Sequence, residues 1–504
     1  MKKKMQMKDY IDNMKQKKEE LPFHKMDDVS RRQFIQSAGF FLGALTIPSM
    51  IRLETMSKLS KKILGNSMAY AADFSSGEFN IEVLLRSGFS SRWIVGEYND
   101  DTALAVNANV PWAMGVTSTA TADGVPVILG PNAGALAPFA NAIQHVVGSN
   151  TSGHTNMFQN TFRSGLGEIT ALRAATEGPT NTAVLKAPFV FGDTTQVAVQ
   201  SLPTSLAEFT PIVFSNVGDA SSMFTPPTFK TNAGNTLSET LQNNVLSILN
   251  SKFNKDVLAG VLQKDVAKIT ASNDQALAIL QTGYSTQLDP GNPANAAKMA
   301  ALTGGLPVDM GELSVMGMNP AEIMFVLLQA ATLGITPMIG SIIGKTGDWH
   351  PVNALPAGDG AGDDREVTGE YLAKLFANVC TAASTGVWEN AVTGDPQEVR
   401  IHVASEFARG FVLTDSNTNN NDGGHCTHLT IGSKVSQSDY KPGSIGGSSS
   451  TGVAIGFNAT TNAHSTGISL FSPDQMFGHH LNMLKIDKDL LNLTGFPGIT
   501  GLTS

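Results

Sequence analysis

Residues 319 to 405 carry the pattern that most constrains the fold, an apolar helix, an apolar strand, a second helix and a second strand in succession. Asn319 followed by Pro320 predicts a helix start, and the apolar run after them stops at Gly334, a typical helix terminator. A strand, a helix and a strand are then predicted over residues 335 to 343, 367 to 382 and 398 to 405. Such alternation is typical of a parallel sheet covered by helices on both faces.

The rest of the chain extends this prediction. Apolar runs at 79 to 85, 125 to 129 and 145 to 147 read as strands, and the last two are separated by a helical stretch. Capping boxes at Thr236/Glu239 and Ser272/Gln275 predict helices, so we expect a helical insertion at about 230 to 330. The fold class predicted is α/β, with a mostly parallel central sheet in one domain over residues 72 to 504.

The first 71 residues have the pattern of an export signal. A lysine-rich leader precedes Ser30-Arg31-Arg32-Gln33-Phe34, an apolar run follows at 38 to 48, and Ala69-Tyr70-Ala71 supplies small residues for cleavage. The apolar run is shorter than the ~20 residues of a membrane-spanning helix. The export-signal pattern predicts a periplasmic or secreted protein without a transmembrane anchor, whose partner during export is the twin-arginine machinery. The alternative interpretation of these residues is a basic amphipathic arm.

The net charge after residue 71 limits which classes of partner the protein can bind, and the two cysteines limit its disulfides. Residues 1 to 71 hold fourteen of the 34 Lys/Arg and seven of the 43 Asp/Glu, which leaves 20 basic and 36 acidic residues, a formal charge of −16. This excess of acid argues against nucleic acid or an anionic membrane as a partner. Cys380 and Cys426 are the two cysteines. They permit one disulfide, and free thiols are the alternative.

Polar residues that follow the predicted strands are candidates for a site. Asp348 and His350 follow one strand and Glu406 another, and the carboxyl ends of parallel strands share one edge of a sheet. Carboxylate oxygens and imidazole nitrogens bind divalent metals. Across an Asn-rich loop from Glu406, His425 or His428 could add a ligand. The alternatives are an Asp/His pair that only fixes a loop and a surface histidine.

Two hydroxyls are candidate nucleophiles. Thr151 and Ser152 follow the strand around residue 146, and a bound metal can lower the pKa of a hydroxyl. The alternative is a helix N-cap.

Three other histidines have predicted roles. His402 alternates within a strand and is predicted to be a packed core residue, whereas His479 and His480 are either ligands or a helix-terminal pair. The sequence contains no P-loop, dinucleotide fingerprint or nucleophile elbow.

Several short motifs, taken in order, resemble the bacterial family called domain of unknown function 1501. They are the leader, Leu85-Arg86-Ser87-Gly88, the 147 to 154 segment, Gly347-Asp348-Trp349-His350, Ser405-Glu406-Phe407-Ala408-Arg409, Gly423-Gly424-His425 and Phe496-Pro497-Gly498. The family is grouped with the alkaline phosphatase and sulfatase superfamily. The resemblance implies an alkaline-phosphatase-like α/β sandwich and metal-assisted hydrolysis of phosphate or sulfate esters.

The resemblance also implies roles for residues. Asp348 and His350 would ligate one divalent metal (Zn, Mg, Mn or Ca), Glu406 would stand where the superfamily has a second-site carboxylate, and Thr151 or Ser152 would lie in the nucleophile region. Where family members have Asp-Gly after the first strand, this chain has Gly88-Phe89-Ser90. Two functions follow as hypotheses. One is a metal-dependent ester hydrolase with His425 as a further ligand, and the other is a non-catalytic secreted binding or surface scaffold without metal.

Overall fold

The structure is a computed structural model that describes part of the chain. The described residues are 79–85, 91–98, 117–120, 125–130, 132–149, 166–177, 187–192, 209–225, 244, 247, 284–308, 313–314, 318–333, 335–336, 339–345, 361–389, 396, 398–405, 425–434, 439–448, 453–486 and 499–502. The predicted export signal and most of the predicted helical insertion lie outside them.

The chain divides into two compact units. One comprises Met1–Met68 and Ser221–Thr286, and most of it lies outside the described residues. Within it the rings of Phe224 and Tyr284 meet edge to face, with their centroids 6.4 Å apart. The other unit comprises Ala69–Ala220 and Gln287–Ser504 and contains the sheets described below.

Strands account for much of the larger unit. In chain order they are β1 (Phe79–Leu85), β2 (Val95–Gly96), β3 (Thr117–Ala120), β4 (Pro126–Leu129), β5 (Ile143–Ser149), β6 (Phe189–Phe191), β7 (Ile212–Phe214), β8 (Leu313–Ser314), β9 (Ile339–Lys345), β10 (Val399–Ser405), β11 (His425–Gly432), β12 (Gly443–Ile445), β13 (Gly447–Ser448), β14 (Ala454–Asn458) and β15 (Ala463–Ser465).

Helices lie between and after these strands. They are α1 (Leu166–Glu177), α2 (Val217–Ser222), α3 (Ser285–Leu288), α4 (Ala296–Thr303), α5 (Pro320–Thr332), α6 (Ala361–Ser384) and α7 (Pro473–Met483), with 3-10 helices at Ser91–Trp93, Gly134–Ala142 and Pro293–Asn295.

Nine of the described strands form one mixed sheet. Its order is β12-β5-β11-β10-β1-β9-β6-β7, and β8 pairs with β9. Strands β10, β1, β9, β6 and β7 are parallel neighbours. Strand β11 is antiparallel to both β10 and β5, so β5 runs in the same direction as β10. The α/β class predicted from the sequence is confirmed, and the sheet is mixed.

The predicted elements around α5 are confirmed by their local chemistry. The Asn319 side chain accepts a hydrogen bond from the Ala321 backbone N–H, and Pro320 occupies the first turn. A capping box formed by Ser472 and Gln475 starts α7 in the same way. Each cap satisfies backbone donors that would otherwise lack a partner at the helix start. Strand β9 begins four residues later than predicted, at Ile339.

The two faces of the sheet have different neighbours. On β5 and β11 the register places Gln144 beside Thr430 on one face, and His145 beside Leu429 on the other. Helix α7 packs on the face of Gln144, to which His479 is hydrogen-bonded. The 3-10 helix Ser91–Trp93 lies on the opposite face, where Ser91 contacts His145. Helix α6 packs against that 3-10 helix, and Gly369 is needed because a Cβ there would meet the Trp93 backbone at 2.5 Å.

The helices and the two cysteines can be compared with the predictions on membrane anchoring and disulfide formation. None of the helices within the described residues is long and apolar enough to cross a membrane. Cys380 and Cys426 are buried free thiols, and burial raises the pKa of Cys426 to about 12. Cys380 lies on the buried side of α6, as its place in the apolar pattern predicts.

The α5 cap gives a testable prediction for stability. Asn319→Ala removes the acceptor for Ala321 N–H and for the Tyr371 hydroxyl, which lies 3.1 Å away. We expect it to lower the free energy of unfolding by about 1 to 2 kcal/mol in chemical denaturation. Asn319→Asp keeps an acceptor and is the control. Equal stability of the two variants would contradict this role for Asn319.

Candidate functional site

The strands that precede the predicted site residues all end at the same edge of the mixed sheet. Strands β5, β9 and β10 run in the same direction and end at Ser149, Lys345 and Ser405. Strand β11 runs the opposite way and starts at His425, whose backbone pairs with Ser149. Because β11 is antiparallel to its neighbours, its first residue lies at the edge where their last residues lie.

Most of the predicted site residues lie outside the described residues. These are Thr151 and Ser152 after β5, Asp348 and His350 after β9, and Glu406 after β10. The backbone of His425 begins β11, and its side chain also lies outside the described residues. Neighbouring strands are about 4.8 Å apart, so β5 and β9, four steps apart in the sheet order, are separated by about 19 Å. The structure therefore shows the common edge of the sheet. That the side chains of the predicted site residues meet there stays a prediction.

A second group of polar residues is described in full. Glu82, His402, His428, His479 and His480 are each 0% exposed, and we call them the histidine cluster. Glu82 on β1 is the register partner of His402 on β10, and His428 on β11 is the partner of Ala404 on β10. All three therefore face the same side of the sheet, where α7 supplies the two consecutive histidines.

The rings of the histidine cluster contact one another. The His402 and His428 rings are nearly parallel, with centroids 5.8 Å apart. His480 stands edge-on to His428 at 4.5 Å, and His479 stands edge-on to it at 5.7 Å. Nε2 of His480 lies 3.1 Å from a carboxylate oxygen of Glu82. His428 is thus in ring contact with the other three histidines of the cluster.

Hydrogen bonds fix two of the four rings. Nε2 of His402 lies 3.0 Å from Oδ1 of Asn80, an oxygen that can only accept, so Nε2 carries the proton. Nδ1 of His402 lies 3.3 Å from the Thr430 hydroxyl, which can donate to it.

The same reasoning applies to His479. Its Nε2 lies 2.7 Å from Oε1 of Gln144, whose amide nitrogen donates to the carbonyls of Lys441 and Leu502 and so sets the orientation of the amide. Nε2 of His479 therefore carries the proton and Nδ1 has the lone pair.

His428 differs from these two rings. Neither of its nitrogens has a hydrogen-bond partner among the described residues, and both are buried. Nδ1 of His479 is likewise buried without a partner there. A buried polar atom without a hydrogen bond costs about 1 to 3 kcal/mol, so folded proteins rarely retain one without a reason. This free-energy cost applies to both nitrogens of His428 and to Nδ1 of His479.

Burial controls the charge of the cluster. Loss of solvation lowers the pKa of His402 and His428 well below the ordinary value, and at His402 the charge of Arg400 adds to this effect. Burial lowers the pKa of His479 to about 3. Burial also raises the pKa of Glu82, although His480 acts in the opposite direction. At neutral pH His402, His428 and His479 are therefore neutral.

The alternation of polar and apolar residues in three strands is a sequence signal for this cluster. In β1, β10 and β11 polar residues recur at every second position, as in Asn80/Glu82, Arg400/His402 and His428/Thr430. Such a row in otherwise apolar strands indicates a polar face of the sheet. The prediction that His402 is a packed core residue is confirmed. His479 and His480 lie in the second half of α7 and are buried, and Glu82 was missed.

A smaller polar group lies on the other face of the sheet. The Ser91 hydroxyl is 2.9 Å from Nε2 of His145 and 2.8 Å from the Thr427 hydroxyl, and Nδ1 of His145 is 3.2 Å from the Gly96 carbonyl. A serine beside a histidine suggests a nucleophile. All three side chains are fully buried and mutually bonded, however, so we interpret them as a structural network.

Comparisons with known proteins leave the resemblance untested. No protein-family model, no curated protein and no solved structure matches the chain. Within the described part of the chain, no group of three or more His, Cys, Asp or Glu side chains is placed so that it could hold a metal ion. The alkaline-phosphatase-like fold and the metal at the sheet edge therefore stay predictions.

The histidine cluster predicts a pH dependence of stability. The unfolded chain protonates His428 near a pKa of about 6.5, while the folded protein keeps it neutral. The unfolded state then binds more protons, so stability falls as pH drops below about 6.5. We expect His428→Leu to reduce the slope of unfolding free energy against pH, between pH 6 and pH 5, by about 1.4 kcal/mol per unit.

The measurement is chemical denaturation of wild type and His428→Leu across this pH range in metal-free buffer. Glu82, whose pKa is raised, opposes the effect of the histidines and is present in both proteins. Identical slopes for the two proteins would show that His428 is protonated in the folded state as readily as in the unfolded chain.

Proposed function

We propose that the chain is an exported, metal-dependent hydrolase of phosphate or sulfate esters, with its site at the carboxyl edge of the mixed sheet. The observation that carries the proposal is the common edge at which β5, β9 and β10 end and β11 begins. In α/β proteins, ligands bind outside the carboxyl ends of sheet strands. An alkaline-phosphatase-like arrangement of the α/β fold is part of the same proposal.

The proposed roles follow the position of each residue after its strand. Asp348, His350, Glu406 and His425 would hold the divalent metal, and Thr151 or Ser152 would attack the ester. A bound divalent ion would lower the pKa of the attacking hydroxyl and stabilise negative charge on the ester oxygens. The carboxylate and imidazole ligands match zinc and similar ions, and the carboxylates alone also suit magnesium or calcium.

One observation favours the second candidate, a non-catalytic secreted binding or surface scaffold. Strand β1 lies between β9 and β10, so the segment after Leu85 begins in the middle of the proposed site. Residues 86 to 90 read Arg-Ser-Gly-Phe-Ser and contain no Asp, Glu or His. The central strand therefore contributes no metal ligand directly after its end, which an incomplete and inactive site would explain.

An ester panel on protein recovered after export through its own leader separates the two candidates. The hydrolase predicts turnover of an aryl phosphate, phosphodiester or sulfate in the presence of a divalent metal. We expect Asp348→Asn and His350→Gln to reduce kcat/KM by about 100-fold or more, since each removes a metal ligand. The measurement is initial rate against metal and substrate concentration.

Matched controls come from the described part of the larger unit. Asp289→Asn keeps the acceptor for the Gly291 backbone N–H, and His464→Gln keeps a donor for the Ser444 carbonyl. Both should leave turnover unchanged. Absence of turnover by the wild-type protein with every metal and ester would contradict the hydrolase and leave the scaffold.

A further inference from the structure

We propose that α7 is a pH-sensitive switch, a helix that packs on the sheet at neutral pH and leaves it when the buried histidines beneath it take up protons. The switch consists of α7 and the histidine cluster, to which β10 and β11 contribute imidazoles and β1 contributes a carboxylate. It concerns the position of a helix and does not depend on the proposed hydrolase.

The place of the imidazoles is the first argument. All four lie between α7 and the sheet, and each is fully buried. His428 contacts His402 on the sheet and His480 on the helix, with ring centroids 5.8 and 4.5 Å away. An imidazolium in this position lacks water, which is strongly unfavourable for a charged group. Because α7 covers the cluster, a protonated ring regains water when the helix moves away.

Most of the charged and titratable groups near the cluster oppose a proton on its histidines. At His402, loss of solvation is the largest cause of the lowered pKa, and the charges of Arg400 on β10 and Arg173 on α1 add to it. At His428, loss of solvation again comes first for the pKa, and the other histidines of the cluster, with His145 on the opposite face, act in the same direction. Both rings are therefore neutral while α7 covers them.

Two acidic residues lie in or beside the cluster. The Glu82 carboxylate is 3.1 Å from Nε2 of His480, and burial raises the pKa of Glu82. Glu82 therefore releases a proton when water reaches it, which offsets part of the uptake by the histidines. Although burial acts in the other direction, hydrogen bonds from Arg400 and Lys485 hold the pKa of Asp439 below its ordinary value. Asp439 thus stays ionised over the range in which the histidines titrate.

The way α7 is attached allows it to leave while the sheet stays intact. The strands are joined to one another by backbone hydrogen bonds along their lengths. In α7, Met476, Phe477 and Leu481 pack as side chains in one apolar cluster with Leu84 and Val146 of the strands. This apolar packing holds the helix at neutral pH. Local elements that are attached by side chains can open without global unfolding.

The start of α7 is connected to the edge of the sheet. The backbone N–H of Ser149, the last residue of β5, donates to the carbonyl of Phe471 at 2.7 Å, and Ser472 then caps α7. The candidate nucleophiles Thr151 and Ser152 follow Ser149 in the chain. The switch therefore reaches the edge of the sheet, and any effect on ester hydrolysis there rests on the proposed function.

The test is hydrogen exchange of the full chain at pH 7, 6 and 5, read by mass spectrometry and divided by the intrinsic exchange rate at each pH. On opening below pH 6, His428 and His479 each gain almost one proton and Glu82 loses at most one. We therefore expect protection of α7 to fall by roughly 5-fold or more per pH unit. At pH 5, α7 should be at least about 10-fold less protected than β1 and β10.

Two variants connect the fall in protection to the cluster. His428→Leu removes one titrating ring, so the fall in α7 protection per pH unit should become close to 10-fold smaller, since about one proton fewer is taken up. His464→Gln is the matched control, because His464 lies on β15 outside the cluster, where its ring stacks on Tyr98. It should leave the pH dependence of α7 unchanged.

Equal protection of α7 and of the two strands at pH 5 would overturn the proposal, because the helix would then open only together with the sheet. Protection of α7 that does not change with pH would also overturn it. If circular dichroism shows that His428→Leu does not fold, the wild-type comparison of α7 with β1 and β10 decides alone. Failure of the hydrolase is distinguishable, because ester turnover enters none of these measurements.

Discussion

The contact between Glu82 and His480 is the interaction on which the larger unit most depends. It joins β1, in the middle of the sheet, to α7, which lies almost 400 residues further along the chain, and both side chains are fully buried. Removing an ionised carboxylate from water without compensation costs several kcal/mol. Burial raises the pKa of Glu82, and the His480 imidazole 3.1 Å from its carboxylate oxygen acts in the opposite direction, so the contact with α7 offsets part of the cost of burying this group.

The same constraint explains the composition of the sheet face beneath α7. Asn80, Thr430 and Gln144 hold His402 and His479 through hydrogen bonds, whereas the nitrogens of His428 have no such partner among the described residues. The opposite face of the same strands carries Ile81, Val83, Ile401 and Val403, which pack as an ordinary apolar core. The sheet therefore buries polar groups on both faces, with the histidine cluster beneath α7 and the network of Ser91, His145 and Thr427 on the other side.

Local elements could be predicted from the sequence, and the contacts between distant ones could not. Strand β1 is rich in apolar residues, β10 alternates apolar and polar residues, and α5 begins with Asn-Pro, so their predicted bounds were close to those observed. No strand was predicted over His425–Gly432, where His425 and His428 were considered only as candidate ligands that follow an Asn-rich loop. Glu82 was missed since one carboxylate in a strand usually marks a solvent-facing position. Its partner on α7 lies too far along the chain for any spacing rule to connect the two.

The histidine tautomers test the account most directly. Long-range ¹⁵N–¹H correlation on histidine-labelled protein at pH 7, after treatment with a chelator, reports the charge and the protonated nitrogen of each ring. The account predicts that His402 and His479 are neutral and carry the proton on Nε2, and that their signals do not titrate between pH 7 and pH 5. Rings that titrate near the ordinary pKa of about 6.5 would contradict a closed cluster beneath α7.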